Sequence, residues 1–374
     1  MNSVDRIVIL YPGETSSARI NKPANYSLSR LLILLHERGD VPITFLNTAK
    51  RYEKYGNIEF LHFSTINFLR TLLECRRRGG NTLIVNQMHG YWRYATVMRR
   101  LLPRSRLLVR LGGVYYGQEF INSARFDDLV RRELTYLRSA DMILCTADGT
   151  PVDLYMDRVG VPRERYRKWL NGFPEIENSA GHRRSNQIVC ISRLSAEKGL
   201  DYVIESFAVA LPSLYEPHKL VFVGDGPETA SLREQAERLQ LGSFVEFVGH
   251  SDDVAKYLYT SKLMVAGLAN NPVMEAIATA TPVIAVELGE MRSLYGRFPD
   301  VHIVNYPPGG CGRIHPEHRA ALVRDTAEKI VEVLNGRVAS DARASARDRD
   351  LYRWEERLED ECDLYQSLFA DLRA

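Results

Sequence analysis

The sequence predicts an α/β protein of two doubly wound, Rossmann-like domains facing across a cleft, with a long helix at the carboxyl end. Three observations carry this expectation. Short apolar runs alternate with segments of helical periodicity along most of the chain, the pattern of parallel sheets covered by helices on both faces. At 374 residues the chain exceeds what one hydrophobic core usually holds. One polar stretch, 177–186, interrupts the alternation and reads as a linker. The expected division is a first domain over 1–176, a second over 187–346, and a last helix over 347–374 that packs back on the first domain.

In order, strands are expected at 6–11, 43–46, 58–63, 82–86, 107–111, 141–146 and 166–170 of the first half. Helices are expected between them at 27–38, 65–78, 94–102, 127–140 and 152–158. After the linker the alternation resumes. Strands are read at 188–191, 219–223, 245–248, 263–266 and 281–286, with helices at 201–210, 228–239, 252–259, 272–278 and 326–334. The segment 347–372 is a charged helical pattern, and 307–312 is a Pro- and Gly-rich loop.

Composition sets the class. Apolar residues make up 45% and charged residues 26%, as in an ordinary water-soluble globule. The five cysteines are scattered without metal-ligand spacing, which favours a reducing, cytoplasmic setting over secretion. The first residues lack a basic-then-apolar leader, and no apolar run approaches the ~18 residues of a membrane span. The net charge of +2 conceals an asymmetry: residues 1–170 carry 27 Lys and Arg against 16 Asp and Glu, so the remainder is acidic. Arg76, Arg77, Arg78, Arg93, Arg99, Arg100, Arg104, Arg106 and Arg110 dominate this excess. It marks either a face for an anionic membrane or a set of solvated helix surfaces. Nucleic acid is not an expected partner.

The chemistry concentrates at 192–199 and 271–286. Arg193 and Lys198 lie in the loop after a buried strand. Asn271 suits an N-cap and Pro272 a first helical turn, leaving the amides of Val273 and Met274 to face an anion at the positive end of the helix. Two cations beside such a helix end suit a diphosphate. In isolation Arg193 and Lys198 also fit solvated loop cations, Glu275 a favourable first-turn carboxylate, and Gly226 a β-turn glycine. Gly13, after the first strand, reads as a turn residue or a point of close ligand approach, and His89, after the fourth, as a structural hydrogen-bonding residue.

These pieces resemble, in order and approximate spacing, the GT-B glycosyltransferases, and among them the retaining family 4, also called glycosyl transferases group 1. The resemblance rests on Ser192-Arg193-Leu194 through Lys198-Gly199, Val223-Gly224-Asp225-Gly226-Pro227, Val245-Glu246-Phe247-Val248-Gly249, and Pro272 through Glu275-Ala276 to Thr281-Pro282-Val283-Ile284-Ala285. Ser139-Ala140-Asp141-Met142-Ile143, Gly160-Val161-Pro162, Asn171-Gly172 and Trp354-Glu355-Glu356-Arg357 extend it. It implies transfer of a sugar from a UDP- or GDP-type nucleotide-diphosphate donor to a hydroxyl of a glycan, lipid-linked or small-molecule acceptor, with retention. Arg193 and Lys198 then stabilise the leaving diphosphate and Glu275 accepts hydrogen bonds from the ribose. Val248 and His250 border the base, Asn271, Pro272, Val273, Met274 and Gly226 line the donor site, and Gly13 approaches the phosphates from the other domain. The cations and helix end supply the charge, so neither a metal nor a bound cofactor is invoked, and Asp252-Asp253 reads as a helix cap. Two departures stand out. Gly267 occupies the place, eight residues before Glu275, where such proteins carry a further glutamate toward the donor sugar, leaving Asn270 or Asn271 to substitute. A histidine usual after the fifth strand is missing, a role that passes in part to His89. The alternative function is a catalytically silent relative that binds a nucleotide sugar as a sensor or scaffold.

Overall fold

A computed structural model describes residues 5–13, 31, 35, 37–38, 41–87, 90–112, 114, 121, 123–133, 136–170, 181–268, 272–306, 314, 316–336 and 354–373. The first sheet comprises β1 (Arg6–Leu10), β2 (Ile43–Asn47), β3 (Glu53–Tyr55), β4 (Ile58–His62), β5 (Thr82–Gln87), β6 (Ser105–Leu111), β7 (Met142–Ala147) and β8 (Tyr166–Leu170). Their order is β3-β4-β2-β1-β5-β6-β7-β8, parallel except for β3 against β4. Central strands such as β1, buried at every position, read as continuous apolar runs because helices cover both faces. The edge strand β3 was not expected. Its three residues Glu-Lys-Tyr are half-buried or exposed and carry no apolar pattern.

Between these strands run α1 (Thr65–Arg78), α2 (Trp92–Leu101), α3 (Ala124–Glu133) and α4 (Val152–Val159). The α1 helix has the span its sequence predicts because both ends are local. Ser64 accepts a hydrogen bond from the Asn67 amide at 3.1 Å, and Gly79 takes the left-handed conformation that ends the helix. The helix expected over 127–140 is shorter, and Leu137–Ser139 forms a separate 3-10 turn.

The second sheet contains β9 (Ser185–Ile191), β10 (Lys219–Val223), β11 (Val245–Gly249), β12 (Ser261–Val265), β13 (Val283–Val286) and β14 (Val301–Val304). All are parallel, in the order β11-β10-β9-β12-β13-β14. Its helices are α5 (Asp201–Ala210), α6 (Thr229–Arg238), α7 (Val254–Thr260), α8 (Pro272–Ala278), α9 (Met291–Tyr295) and α10 (Pro316–Leu334). Strand β9 begins inside the polar stretch read as a linker, since Ser185 already pairs with Ser261. The short α9 and β14 had no counterpart in the sequence reading, and α10 starts at Pro316 rather than 326.

The last helix, α11 (Trp354–Arg373), returns to the first sheet. Leu358, Cys362, Tyr365, Leu368 and Phe369 join Ile7, Ile9, Phe45, Phe60, Leu83 and Leu108 in one core. At its centre Arg110 grips the fully buried Glu361 with both arms, Nε to Oε1 at 2.8 Å and Nη2 to Oε2 at 2.9 Å, and the Tyr365 hydroxyl donates to Oε1 at 2.9 Å. Burial pushes the Glu361 carboxyl up, while the guanidinium pulls it back toward the ionised form. Removing one partner strands the other: Glu361→Ala is expected to cost about 3–5 kcal/mol in denaturant unfolding, and Arg110→Met with Glu361→Leu much less.

This pairing revises the basic series. Arg110 is an internal structural cation, and Arg99 and Arg106 both bind Asp141, whose carboxylate also accepts from the Leu107 amide at 2.7 Å. Burial opposes ionisation of Asp141, but these donors win and hold its pKa below the usual range. The Asp141 motif thus ties α2 to β6 and β7.

The carboxyl-terminal edges of the two sheets meet at the loops after β7 and β13. The Glu290 amide donates to the Gly149 carbonyl at 2.9 Å. Lys168 bridges Asp153 at 2.9 Å and Glu290 at 3.1 Å.

Candidate active site

Counted within the second sheet, the strand order is 3-2-1-4-5-6, and the chain reverses its direction of winding between β9 and β12. Ligands of such sheets bind beyond the carboxyl ends of the strands at this reversal. A cleft of about 720 Å³ lies there, walled by the loops leaving β9, β10 and β11 and by the start of α8. The residues on its wall include Ser192, Arg193, Lys198, Gly224, Asp225, His250, Ser251, Pro272 and Glu275. Thus Arg193, Lys198, Glu275, Pro272 and His250, read as site residues from sequence, converge on one space.

The loop after β9 is held from beneath by buried Leu194, whose amide donates to the Asp225 carbonyl and whose carbonyl accepts from the Glu228 amide, both at 2.9 Å. This clamps it to the turn between β10 and α6. The same packing explains Gly226: a Cβ there would overlap the Leu194 carbonyl oxygen. Close packing on Leu194 thus requires a glycine at 226, and its neighbours Gly224 and Asp225 lie on the cleft wall.

Ser192 opens the Ser192-Arg193-Leu194 motif, but its residue type gave it no site role. It is 8% exposed, its hydroxyl has no hydrogen-bond partner among the described residues, and it lines the cleft. An orphaned buried hydroxyl costs about 1–3 kcal/mol, and a ligand oxygen or amide arriving there would recover it.

Arg193 is 69% exposed on its side chain and ion-paired with Glu197, which also accepts from the Ser195 hydroxyl at 2.7 Å. Lys198 is more enclosed. Burial depresses its pKa, Glu197 and Asp148 counteract this, and Arg193 adds to the depression. Asp148 belongs to the loop after β7 in the first sheet, where the Thr150 hydroxyl donates to it at 2.6 Å. A carboxylate of one domain thus bears on the cleft lysine of the other. Burial raises the Asp148 pKa against these donors.

On the opposite wall, Val273 and Met274 anchor α8 by burying their side chains in the domain core. Glu275 comes one residue later and reaches the cleft. Its pKa is raised, through burial alone. The His250 amide donates to Asp225 at 2.9 Å, while its ring stays exposed near Asp252. Val248 packs against the domain core, so Ser251 and Val254 accompany His250 on the cleft wall in its place. Asp253 caps α7 through the Lys256 amide at 3.0 Å.

Gly267 is also accounted for. A Cβ at this position would lie 2.6 Å from Leu200 Cδ2 and 2.9 Å from the Lys198 carbonyl oxygen. Its side-chain direction is filled by the Lys198 loop, whose carbonyl accepts from the Leu268 amide at 2.9 Å. Gly13 stands at the corresponding reversal of the first sheet, between β1 and β5, where its carbonyl accepts from Thr48 at 3.1 Å. The 720 Å³ cleft does not include it. His89, Asn171, Gly172, Asn270 and Asn271 lie outside the described residues. Among the described residues, no group of three or more His, Cys, Asp or Glu converges as a metal site, and no helix is long and apolar enough to cross a membrane.

The family model described as glycosyl transferases group 1 matches residues 185–302, the segment that builds this cleft from β9 to β14. The chain also superposes on a solved structure, Anabaena Alr3699/HepE in complex with UDP-glucose, at a TM-score of 0.65 and 14% identity, covering 97% of this chain and 99% of that one. The fold is GT-B, and residues 185–302 within it match the group 1 glycosyl transferase model. Two curated relatives align with shorter stretches. The alpha-monoglucosyldiacylglycerol synthase of Streptococcus pneumoniae is 32% identical over 104 residues, 26% of this chain and 23% of that protein. The N-acetyl-alpha-D-glucosaminyl L-malate synthase of Bacillus anthracis is 29% identical over 123 residues, 31% of each chain. The chain therefore spans less than a third of the length of either curated relative. Both of those proteins are named as synthases.

Proposed function

We propose that the protein is a retaining glycosyltransferase that moves a sugar from a nucleotide-diphosphate sugar to an acceptor hydroxyl. The observation that carries this reading is the convergence of Arg193, Lys198, Glu275 and the unpartnered Ser192 hydroxyl on one cleft at the winding reversal. In this reading the diphosphate lies between Lys198 and Arg193 with the first-turn amides of α8 behind it. Charge builds on the departing phosphate in the transition state, and cations already in place stabilise it without reorganising. Ser192 donates to a phosphate oxygen. Glu275 accepts from the ribose hydroxyls, and the base rests against Val254, Ser251 and the backbone at His250. The HepE complex with UDP-glucose supports a uridine nucleotide as the first donor to try, with a GDP-sugar as the comparison.

The direct test is a thermal-shift screen of nucleotide sugars followed by product analysis. A ligand held only by the folded state at a hundred times its Kd adds about 2.7 kcal/mol of stability. Transfer or slow donor hydrolysis with the anomeric configuration kept supports the proposal, an inverted product overturns the retaining mechanism, and absence of any shift overturns the donor class. A shift without turnover would leave a nucleotide-sugar-binding relative of the enzyme.

Glu275→Gln is expected to raise the donor KM roughly tenfold, with a smaller effect on kcat, because the amide loses acceptor capacity at the ribose. The pH profile gives an independent check. Burial raises the carboxyl pKa of Glu275, so donor affinity should fall on the acid side at a higher pH than an ordinary glutamate would give, and Glu275→Gln should remove that limb.

A further inference from the structure

We infer that the outer face of α1 and α2 docks the first domain on an anionic lipid surface. Helix α1 buries Phe68, Thr71, Leu72 and Cys75 on one side, yet its opposite side is also apolar. Ile66, Leu69 and Leu73 are 78%, 48% and 58% exposed. At 100° per residue these three fall within roughly 60° of arc, centred about 140° from the middle of the buried face. Exposed Arg76 flanks the strip on one side, and exposed Arg77 and Arg70 flank it on the other. The one acidic residue of α1, Glu74, lies off the strip and is taken up by Arg6 and Arg78, both at 3.1 Å.

Helix α2 continues the surface. Phe68 and Tyr94 meet edge to face at 4.9 Å, so the two helices are neighbours, and both bury their inner sides in the same core. Outward, α2 exposes Val97 and Leu101 beside Arg93 and Arg100, and its ten residues contain no acidic side chain. An exposed apolar strip bordered by arginines has the character of an interfacial helix: apolar side chains enter the boundary between headgroups and acyl chains while guanidinium groups meet lipid phosphates. A solvated surface helix has no use for three large aliphatics on its outer face, and a neutral protein partner has no use for the arginine borders. Charge complementarity therefore selects an anionic bilayer. Helices α1 and α2 also start at the carboxyl edge of the first sheet, the edge at which the loop after β7 meets the other domain. The inference rests on the surface itself and holds whatever the cleft transfers.

Co-sedimentation of the full chain with vesicles tests it, using phosphatidylcholine and phosphatidylglycerol in equal parts against phosphatidylcholine alone. The protein is expected to sediment with the anionic vesicles only, and to be released as salt rises from about 0.1 M to about 1 M and the Debye length falls from ~10 to ~3 Å. Ile66→Ser with Leu69→Ser and Leu73→Ser is expected to weaken binding by roughly tenfold or more. Arg70→Ala with Arg77→Ala, which leaves the packing untouched, is expected to weaken it roughly 30-fold, at about fivefold per cation. Absence of binding, equal binding to neutral vesicles, or wild-type binding by both variants overturns the inference. So does vesicle-independent self-association that the serine variant abolishes, since that would assign the strip to a second copy of the chain.

Discussion

Lys198→Ala is expected to lower kcat by roughly two to three orders of magnitude under the proposed reaction, with thermal unfolding nearly unchanged. Lys198 is the more enclosed of the two cleft cations, so its charge is screened less than that of the largely exposed Arg193. Arg193→Ala should therefore cost less, about tenfold, because Glu197 already neutralises much of that guanidinium. The sign of the pH dependence follows from the depressed Lys198 pKa. The protonated ammonium is the working form, so activity falls as pH rises through that pKa, below the range where an ordinary lysine titrates. Lys198→Arg should move this alkaline limb out of the accessible range while retaining part of the rate. Unchanged turnover in Lys198→Ala would remove the lysine from the mechanism.

Gly267→Glu, the substitution that restores the carboxylate expected by resemblance, should damage the protein rather than improve it. The new Cβ meets Leu200 Cδ2 at 2.6 Å and the Lys198 carbonyl oxygen at 2.9 Å. The leucine tip can swing aside, but the carbonyl is part of the backbone and is bonded to the Leu268 amide. Overpacking of this kind costs about 1–3 kcal/mol, and a carboxylate in a buried position adds to it. The expected result is a lower denaturant midpoint and weaker donor binding, since relief of the clash displaces the Lys198 loop. Full stability with increased turnover would show instead that the loop yields and that the missing carboxylate limits the reaction. Gly267→Ala, with the same Cβ and no charge, separates the steric from the electrostatic part.

Local signals made the fold legible. Ser64 and Gly79 bound α1 with contacts inside a few residues, and the continuous apolar runs of β1, β10 and β13 announce strands covered on both faces. Strand β3 and helix α9 escaped because three or five residues are too few for a period to show. The cleft was legible where a residue type suffices: Arg193, Lys198 and Glu275 follow strands or open a helix, and the topology brings them together. What a residue meets across the fold was not legible. Glu361, the partner of Arg110, is 251 residues away in sequence, so a buried structural cation looked like one more surface charge. Gly226 fits a β-turn glycine or a donor contact in sequence, and its packing against Leu194 has no local signal; Ser192 likewise has no pattern that reveals an unpaired hydroxyl.

The grip of Arg110 on Glu361 has a mechanical consequence. Because α11 follows the second sheet in sequence but is riveted to the first, the chain passes between the halves twice, after β8 and again after α10. A single tether would let the halves swivel in any direction. A second crossing fastened at Glu361 restricts that freedom, and it adds to the direct contact in which the Glu290 amide bonds the Gly149 carbonyl. Glu361 is not on the cleft wall, yet loosening it would release that constraint, so Glu361→Ala should broaden the distribution of distances between the halves before it unfolds either one.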